Sequence, residues 1–179
     1  AMTRNIFVIP ACIFLALASL LAAPFVLELN PRSLPTALQN KPAPQFNLPP
    51  VNGVPETLGL STADLFGQPG IVNIFASWCL PCLTEHPLIT RVADEGYAVY
   101  GIDYRDEDEH ASRWLERHGN PYMRIGADPD ARGSIEWGVT GVPETFILDG
   151  NANIRYKIVG PLTVAIFEQE VLPLLREFS

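Results

Sequence analysis

The feature that most constrains this chain is a junction. Gly70-Ile71-Val72-Asn73-Ile74-Phe75-Ala76 is a near-continuous apolar run of strand length, as expected of a central strand covered on both faces. Ser77-Trp78-Cys79-Leu80-Pro81-Cys82 follows it directly, and residues 81–95 then carry Leu83, Leu88 and Val92 at helical spacing. Cys79 therefore falls where a buried strand gives way to a helix. There it faces unpaired backbone N–H groups and the positive end of the helix dipole, and both favour thiolate over thiol. Two intervening residues bring the sulfurs of Cys79 and Cys82 within disulfide reach. Attack by Cys79 on a disulfide would give a mixed disulfide that Cys82 resolves. Pro81 suits the first helical turn, because the N–H it lacks would have had no partner there.

Other roles for the pair are weaker. A C-x-x-C loop is too short to add much stability by loop closure. A zinc site would draw on Cys79, Cys82 and His86, yet no second C-x-x-C or H-x-x-H completes four ligands. No metal is expected.

The rest of the chain alternates strand and helix patterns. Gln45–Leu48 and Glu56–Leu58 flank a Pro/Gly-rich turn and suggest a small hairpin or an irregular edge strand. Ser61–Phe66 reads as a capped helical turn ended by Gly67. Strands are predicted at Tyr97–Asp103, Arg124–Ala127, Glu144–Leu148 and Ile154–Val159, the last two joined by the hairpin signal Asp149-Gly150-Asn151. Helices are predicted over 81–95 with a kink at Pro87, 108–118, 131–137, and 163–178 with an interruption at Pro173. This order predicts one α/β domain, a mixed sheet with helices on both faces.

Ahead of that domain, Ile6 to Leu27 is 22 residues without a charge. As a helix it rises about 33 Å, enough for a hydrocarbon core of about 30 Å. Arg4 on one side, with Glu28 and Arg32 on the other, orients the N-terminus to the cytoplasm and the remainder outside. The competing reading is a cleaved signal peptide with Ala16-Leu17-Ala18 as the small-residue site; an uncleaved anchor is the favoured one, and both export the domain. Cys12, inside this segment, reads as a small apolar residue. The expected organisation is a membrane anchor at 1–29, a Pro-rich linker at 30–44 and the α/β domain at 45–179.

The chain carries 12 Lys+Arg against 20 Asp+Glu, a net charge of −8. Such a protein is repelled by nucleic acid, which excludes that class of partner. The run Asp106–Glu109 reads as a solvated helix start.

Trp78-Cys79-x-x-Cys82 after an apolar strand resembles thioredoxin. Gly138-Val139-Thr140-Gly141-Val142-Pro143-Glu144-Thr145-Phe146-Ile147-Leu148-Asp149 is similar to the G-V-x-G-x-P-E-T-F-x-x-D signature of the CcmG/DsbE family, membrane-anchored periplasmic thioredoxin-like proteins of cytochrome c biogenesis. Cys82-x-x-Glu85-His86-Pro87, Gly101–Asp106 and the N-terminal apolar segment match as well. The resemblance spans essentially the whole chain and implies a thioredoxin fold with one N-terminal transmembrane helix. It implies a cis Val142–Pro143 bond beside the cysteines, with the Val142 backbone pairing to an incoming substrate strand and Thr145, in the strand that follows, among the substrate-binding or tuning residues. Trp78 is placed at the rim of the disulfide, and His86 as a structural residue.

The resemblance further implies a periplasm-facing thiol:disulfide oxidoreductase, a reductant acting on apocytochrome c or a cytochrome maturation partner. A membrane electron conduit of the CcdA/DsbD kind would re-reduce it, and no cofactor is needed beyond the redox-active Cys79/Cys82 pair. Carboxylates at Glu85 and Glu144 would oppose a thiolate and make the protein a weaker oxidant. The Leu80-Pro81 dipeptide departs from the family, which often carries a polar or threonine residue at the second position. It leans toward TlpA/ResA-type general reductases. A disulfide-forming oxidase and a non-catalytic haem- or metal-binding adaptor are the remaining alternatives.

Overall fold

The computed structural model describes residues 8–26, 38–54, 58–107 and 109–179, and the chain divides into two units, Ala1–Pro31 and Arg32–Ser179. The first contains helix α1 (Val8–Val26). Its side chains are described over 9–19, a rise of about 16 Å. Among the described residues no helix is long and apolar enough to cross a membrane. Arg4, Glu28 and Arg32, which oriented the expected span, lie outside the described residues.

The second unit is built on a six-stranded mixed sheet. Its strands are β1 (Lys41–Pro42), β4 (Gly70–Phe75), β5 (Ala98–Tyr104), β6 (Arg124–Asp128), β7 (Glu144–Leu148) and β8 (Asn153–Val159), in the order β1-β8-β7-β4-β5-β6. Strands β4, β5 and β6 run parallel; β7 and β8 run antiparallel to their neighbours. The parallel connections are helices, α2 (Leu80–Asp94) between β4 and β5 and α3 (His110–His118) between β5 and β6. The short α4 (Arg132–Glu136) precedes β7. The chain ends in α5 (Val164–Ile166), a π-helical turn (Phe167–Val171) and α6 (Leu172–Glu177).

Every residue of β4 is buried, and its side chains alternate between two cores. Ile71 and Phe75 join α2, α3 and the C-terminal helical segment in one. Val72 and Ile74 join Trp137, Phe146 and Leu60 in the other. The sheet is thus covered on both faces, as the apolar run required. Gly70 is needed where β4 meets β5, because a Cβ there would lie 2.4 Å from the Ala98 carbonyl oxygen.

Two local expectations change. The partner of β2 (Asn47–Leu48) is β3 (Leu60–Ser61), with Leu48 opposite Leu60. The second arm expected at Glu56–Leu58 falls largely on residues 55–57, outside the described residues, and the pairing goes to the segment whose leucine reaches the core. The stretch expected as linker through residue 44 is instead part of the fold from residue 38. Asn40 N–H donates to Ile154 O at 2.7 Å and Ala43 N–H to Ala152 O at 2.8 Å, so β1 closes the sheet edge. The terminal helix is interrupted beside Pro173, as expected. The interruption is the π turn Phe167–Val171, where Leu172 N–H reaches Phe167 O, and the widened turn absorbs the missing proline donor. Helix α2 carries Pro87 in its interior.

Candidate active site

Cys79 and Cys82 form a disulfide at the C-terminal end of β4, the edge to which loops of a parallel sheet bring functional groups. Cys79 is the N-cap of α2 and its Sγ accepts the backbone N–H of Cys82 at 3.1 Å. The sulfur therefore occupies the place an N-cap oxygen would take, facing the helix-end donors. Cys79 is 4% exposed and Cys82 2%, whereas the flanking Trp78 and Leu80 stand 58% and 73% exposed. An apolar rim surrounds a nearly covered disulfide. Trp78 is oriented by its indole N–H, which donates to Arg105 O at 3.3 Å. Pro81 lies in the first turn of α2.

Opposite α2, the Val142–Pro143 peptide bond is cis, as the resemblance implied. Val142 is half-buried and packs on the same core as the two cysteines.

Beneath the disulfide lies a buried polar network. Tyr122 Oη donates to Asn73 Oδ1 at 2.8 Å. Asn73 Nδ2 donates to Glu85 Oε1 at 2.8 Å and to Thr145 Oγ1 at 3.1 Å. The other Glu85 oxygen accepts the backbone N–H of Leu162 at 2.7 Å. Glu85 is 1% exposed. Burial pushes its carboxyl up to about 7, even though the bonds from Leu162 and Asn73 favour the ionised form. It sits one helical turn after Cys82, on the same face of α2.

Glu144 does not join this group. Its carboxylate pairs with Lys157 Nζ at 2.8 Å, and it accepts from the N–H of Thr140 at 2.9 Å and from its hydroxyl. Successive strand residues point to opposite faces, so Thr145 reaches the Asn73–Glu85 network while Glu144 turns to the other core with an ammonium neutralising it. The expectation that two carboxylates oppose the thiolate narrows to Glu85. His86 is a packing residue, as expected. Its Nε2 lies 3.0 Å from Gly119 O, its ring meets Trp114 edge-on, and burial lowers its pKa. Among the described residues no group of His, Cys, Asp and Glu could hold a metal ion.

The acidic run is not wholly solvated either. Asp106 Oδ2 accepts the Ser77 N–H at 2.6 Å and Asp106 Oδ1 the Ser77 hydroxyl at 2.8 Å. That pins the turn that delivers Trp78 and Cys79. Asp103, at the end of β5, is buried with one carboxyl oxygen lacking a hydrogen-bond partner. Burial first, then neighbouring Asp106 and Asp128, pushes its carboxyl up to about 8. Asn73 and Tyr122 were not singled out from the sequence, and Asp103 and Asp106 entered only through the Gly101–Asp106 match and the acidic run, with no role at the site. The usable signal was an amide in the middle of an otherwise apolar strand, which a fully covered position tolerates only with partners.

The Redoxin family profile matches residues 38–171. The thiol:disulfide interchange protein DsbE of Allochromatium vinosum is 43% identical over 173 residues, covering 96% of this chain and 93% of that protein. DsbE of Escherichia coli K12 is 35% identical, covering 99% and 97%. HelX of Rhodobacter capsulatus, also named a thiol:disulfide interchange protein, is 38% identical, covering 84% and 85%. The chain belongs to the DsbE/CcmG family. A thioredoxin-family thiol:disulfide interchange protein from Chlorobium tepidum, solved by crystallography, superposes with a TM-score of 0.59 at 31% identity, covering 78% of this chain and 99% of that one.

This DsbE-family protein therefore has the thioredoxin-like fold and is a thiol:disulfide oxidoreductase. The elements that frame the site, β4, the start of α2 and the loop into β7, all lie within the matched residues.

Proposed function

We propose that this oxidoreductase works as a reductant in cytochrome c maturation, acting outside the cytoplasmic membrane on the disulfide of apocytochrome c or of a partner that holds it. The observation that carries the direction of the reaction is the buried Glu85 carboxyl one turn beyond Cys82. A carboxylate there destabilises a thiolate at the helix end, which works against the strong oxidising character a helix-capped thiolate confers.

The reduced protein carries the nucleophile at Cys79. Its thiolate attacks one sulfur of the substrate disulfide; a Cys79–substrate disulfide forms, and the other substrate sulfur leaves as thiolate. The Cys82 sulfur, deprotonated, then attacks Cys79 Sγ. The mixed bond breaks, the second substrate thiolate is released, and the Cys79–Cys82 disulfide remains. Two electrons have passed to the substrate. Glu85, with its carboxyl near neutrality, is placed to hold a proton beside Cys82 during resolution. Trp78 and Leu80 offer the apolar rim, the Val142 backbone beside cis-Pro143 takes the substrate chain, and Thr145 and Pro81 fix the walls of the site. Re-reduction calls for a membrane electron donor of the CcdA/DsbD type. The uncharged run Ile6–Leu27 supports single-pass anchoring in the inner membrane with the catalytic domain in the periplasm.

Proline at position 81 favours the second reading, a general TlpA/ResA-like periplasmic reductase. Trapping separates the two. The Cys82→Ala full chain should stall as a mixed disulfide through Cys79. Recovery of apocytochrome c or its maturation partner supports the cytochrome role, and a broad set of unrelated disulfide proteins would replace it with the general one. A reduction potential nearer about −120 mV than about −200 mV would overturn the reducing direction altogether.

A further inference from the structure

Beside the disulfide, on the α3 side, an open cavity of about 530 Å³ is lined by Ser77, His110, Arg113, Glu116 and Arg117. Its position and its charge are both informative. Ser77 belongs to the turn that precedes Cys79, so a group held in the cavity lies within a few residues of the reacting sulfurs. Arg113 and Arg117 are one helical turn apart, so their side chains neighbour each other on α3. On the helix itself each donates its Nε–H, to Glu109 O and Arg113 O at 3.1 Å. Among the described residues neither pairs with a carboxylate, whereas Arg91, Arg124, Arg155 and Lys157 all do. Among the described residues no acceptor is recorded for their outer N–H groups, the part of a guanidinium that grips a carboxylate in a fork. Glu116 offsets one of the two charges, and His110 faces the Asp106 carboxylate at 4.0 Å, which leaves the arginine pair in excess by one. In a protein of net charge −8, this is a local reversal of sign placed at the active-site edge.

We propose that this cavity is a specificity site for an acidic side chain that flanks the target disulfide in a substrate polypeptide. The inference rests on the oxidoreductase reading and adds a substrate preference to it. The disulfide is reached over the apolar rim of Trp78 and Leu80. A carboxylate two or three residues from the substrate cysteine then enters the cavity and meets Arg113 and Arg117. The gain falls mostly on association, since exposed charge pairs steer encounter more than they tighten the complex.

The test compares two oxidised C-x-x-C peptides, identical except for Glu or Gln at the positions flanking the cysteines, reduced by the dithiol form of the full chain. At low ionic strength the Glu peptide should react roughly tenfold faster. The preference should shrink severalfold at about 0.5 M salt, where screening acts over a few ångströms. The double variant Arg113→Gln/Arg117→Gln should lose the preference while keeping the wild-type rate on the Gln peptide and an unchanged melting temperature. Equal rates for the two peptides with the wild-type chain, or a preference that survives in the double variant, overturns the assignment. Inhibition by millimolar succinate without a Glu preference would give the cavity to a free small anion and overturn it too. Hydroxyethyl disulfide, small and neutral, is the reference: if the wild-type chain does not reduce even this, the failure belongs to the oxidoreductase reading and not to the cavity.

Discussion

Replacing Glu85 by glutamine should reverse its effect on stability between acid and neutral pH. In the folded chain burial pushes the carboxyl from its ordinary 4.5 up to about 7. The native state therefore keeps a proton that the unfolded chain has already lost, and over that window stability falls as pH rises, by up to about 1.4 kcal/mol per pH unit. Across the whole shift the loss comes to about 3 kcal/mol. Two other groups act in the same range. Asp103, raised from 3.8 to about 8, adds a slope of the same sign. His86, whose pKa is lowered from 6.5 by burial, has the opposite sign and acts only below about 6.5, after which it is neutral in both states.

Both background effects are common to the wild-type chain and the variant, so their difference isolates Glu85. At pH 5 Glu85→Gln should be slightly less stable, because an amide N–H₂ must face the Asn73 amide or the Leu162 N–H and one hydrogen bond of about 1 kcal/mol is lost. At pH 7.5 the uncharged amide avoids burying an anion, and the variant should be more stable than wild type by about 2 kcal/mol. Urea unfolding of the oxidised full chain at both pH values reads the difference. A stability difference that stays constant between pH 5 and pH 7.5 would refute the claim that Glu85 carries a proton in the fold.

Three further outcomes follow from the same geometry. Asn73→Leu strands the Tyr122 hydroxyl and removes the donor to Glu85 and Thr145. It should destabilise the chain by about 3 kcal/mol, seen as a lower urea midpoint with unchanged slope. After reduction, Cys79 should be alkylated by iodoacetamide faster than free cysteine at pH 7, with Cys82 protected until the chain unfolds; mass mapping of the modified peptide checks both, and Cys79→Ser should abolish disulfide reduction. Asp106→Ala frees the Ser77 N–H and hydroxyl, should cost about 2 kcal/mol of stability, and should slow reduction of a peptide disulfide through a loosened Trp78–Cys79 turn, which stopped-flow kinetics would detect.

Much of the fold was legible because its signals are local. An apolar run of strand length bounded by Gly70 and Ser77 had to be a covered strand, and Pro81 beside two cysteines had to open a helix. Asp149-Gly150-Asn151 between two apolar runs had to be a hairpin, and the sheet pairs Glu144–Leu148 with Ile154–Val159 accordingly. Where a pairing depended on which of several short segments reached the core, as with Leu60 opposite Leu48, sequence pattern did not pick it out. Lys41–Pro42 looked like linker because two residues at a sheet edge carry no periodicity of their own.

The chemistry of the cysteine pair was written in the sequence by itself, since a helix end acts on a sulfur within one turn and needs nothing distant. The roles of the two glutamates were not. Glu85 and Glu144 each follow a landmark residue in a similar way, yet one lies under the disulfide accepting the N–H of Leu162 from 77 residues away, and the other faces Lys157 on the far side of the sheet. Which carboxyl keeps a proton and which becomes half of an ion pair depends on the sheet face it takes and on what the chain brings back to meet it, and both are fixed only when the tertiary structure closes.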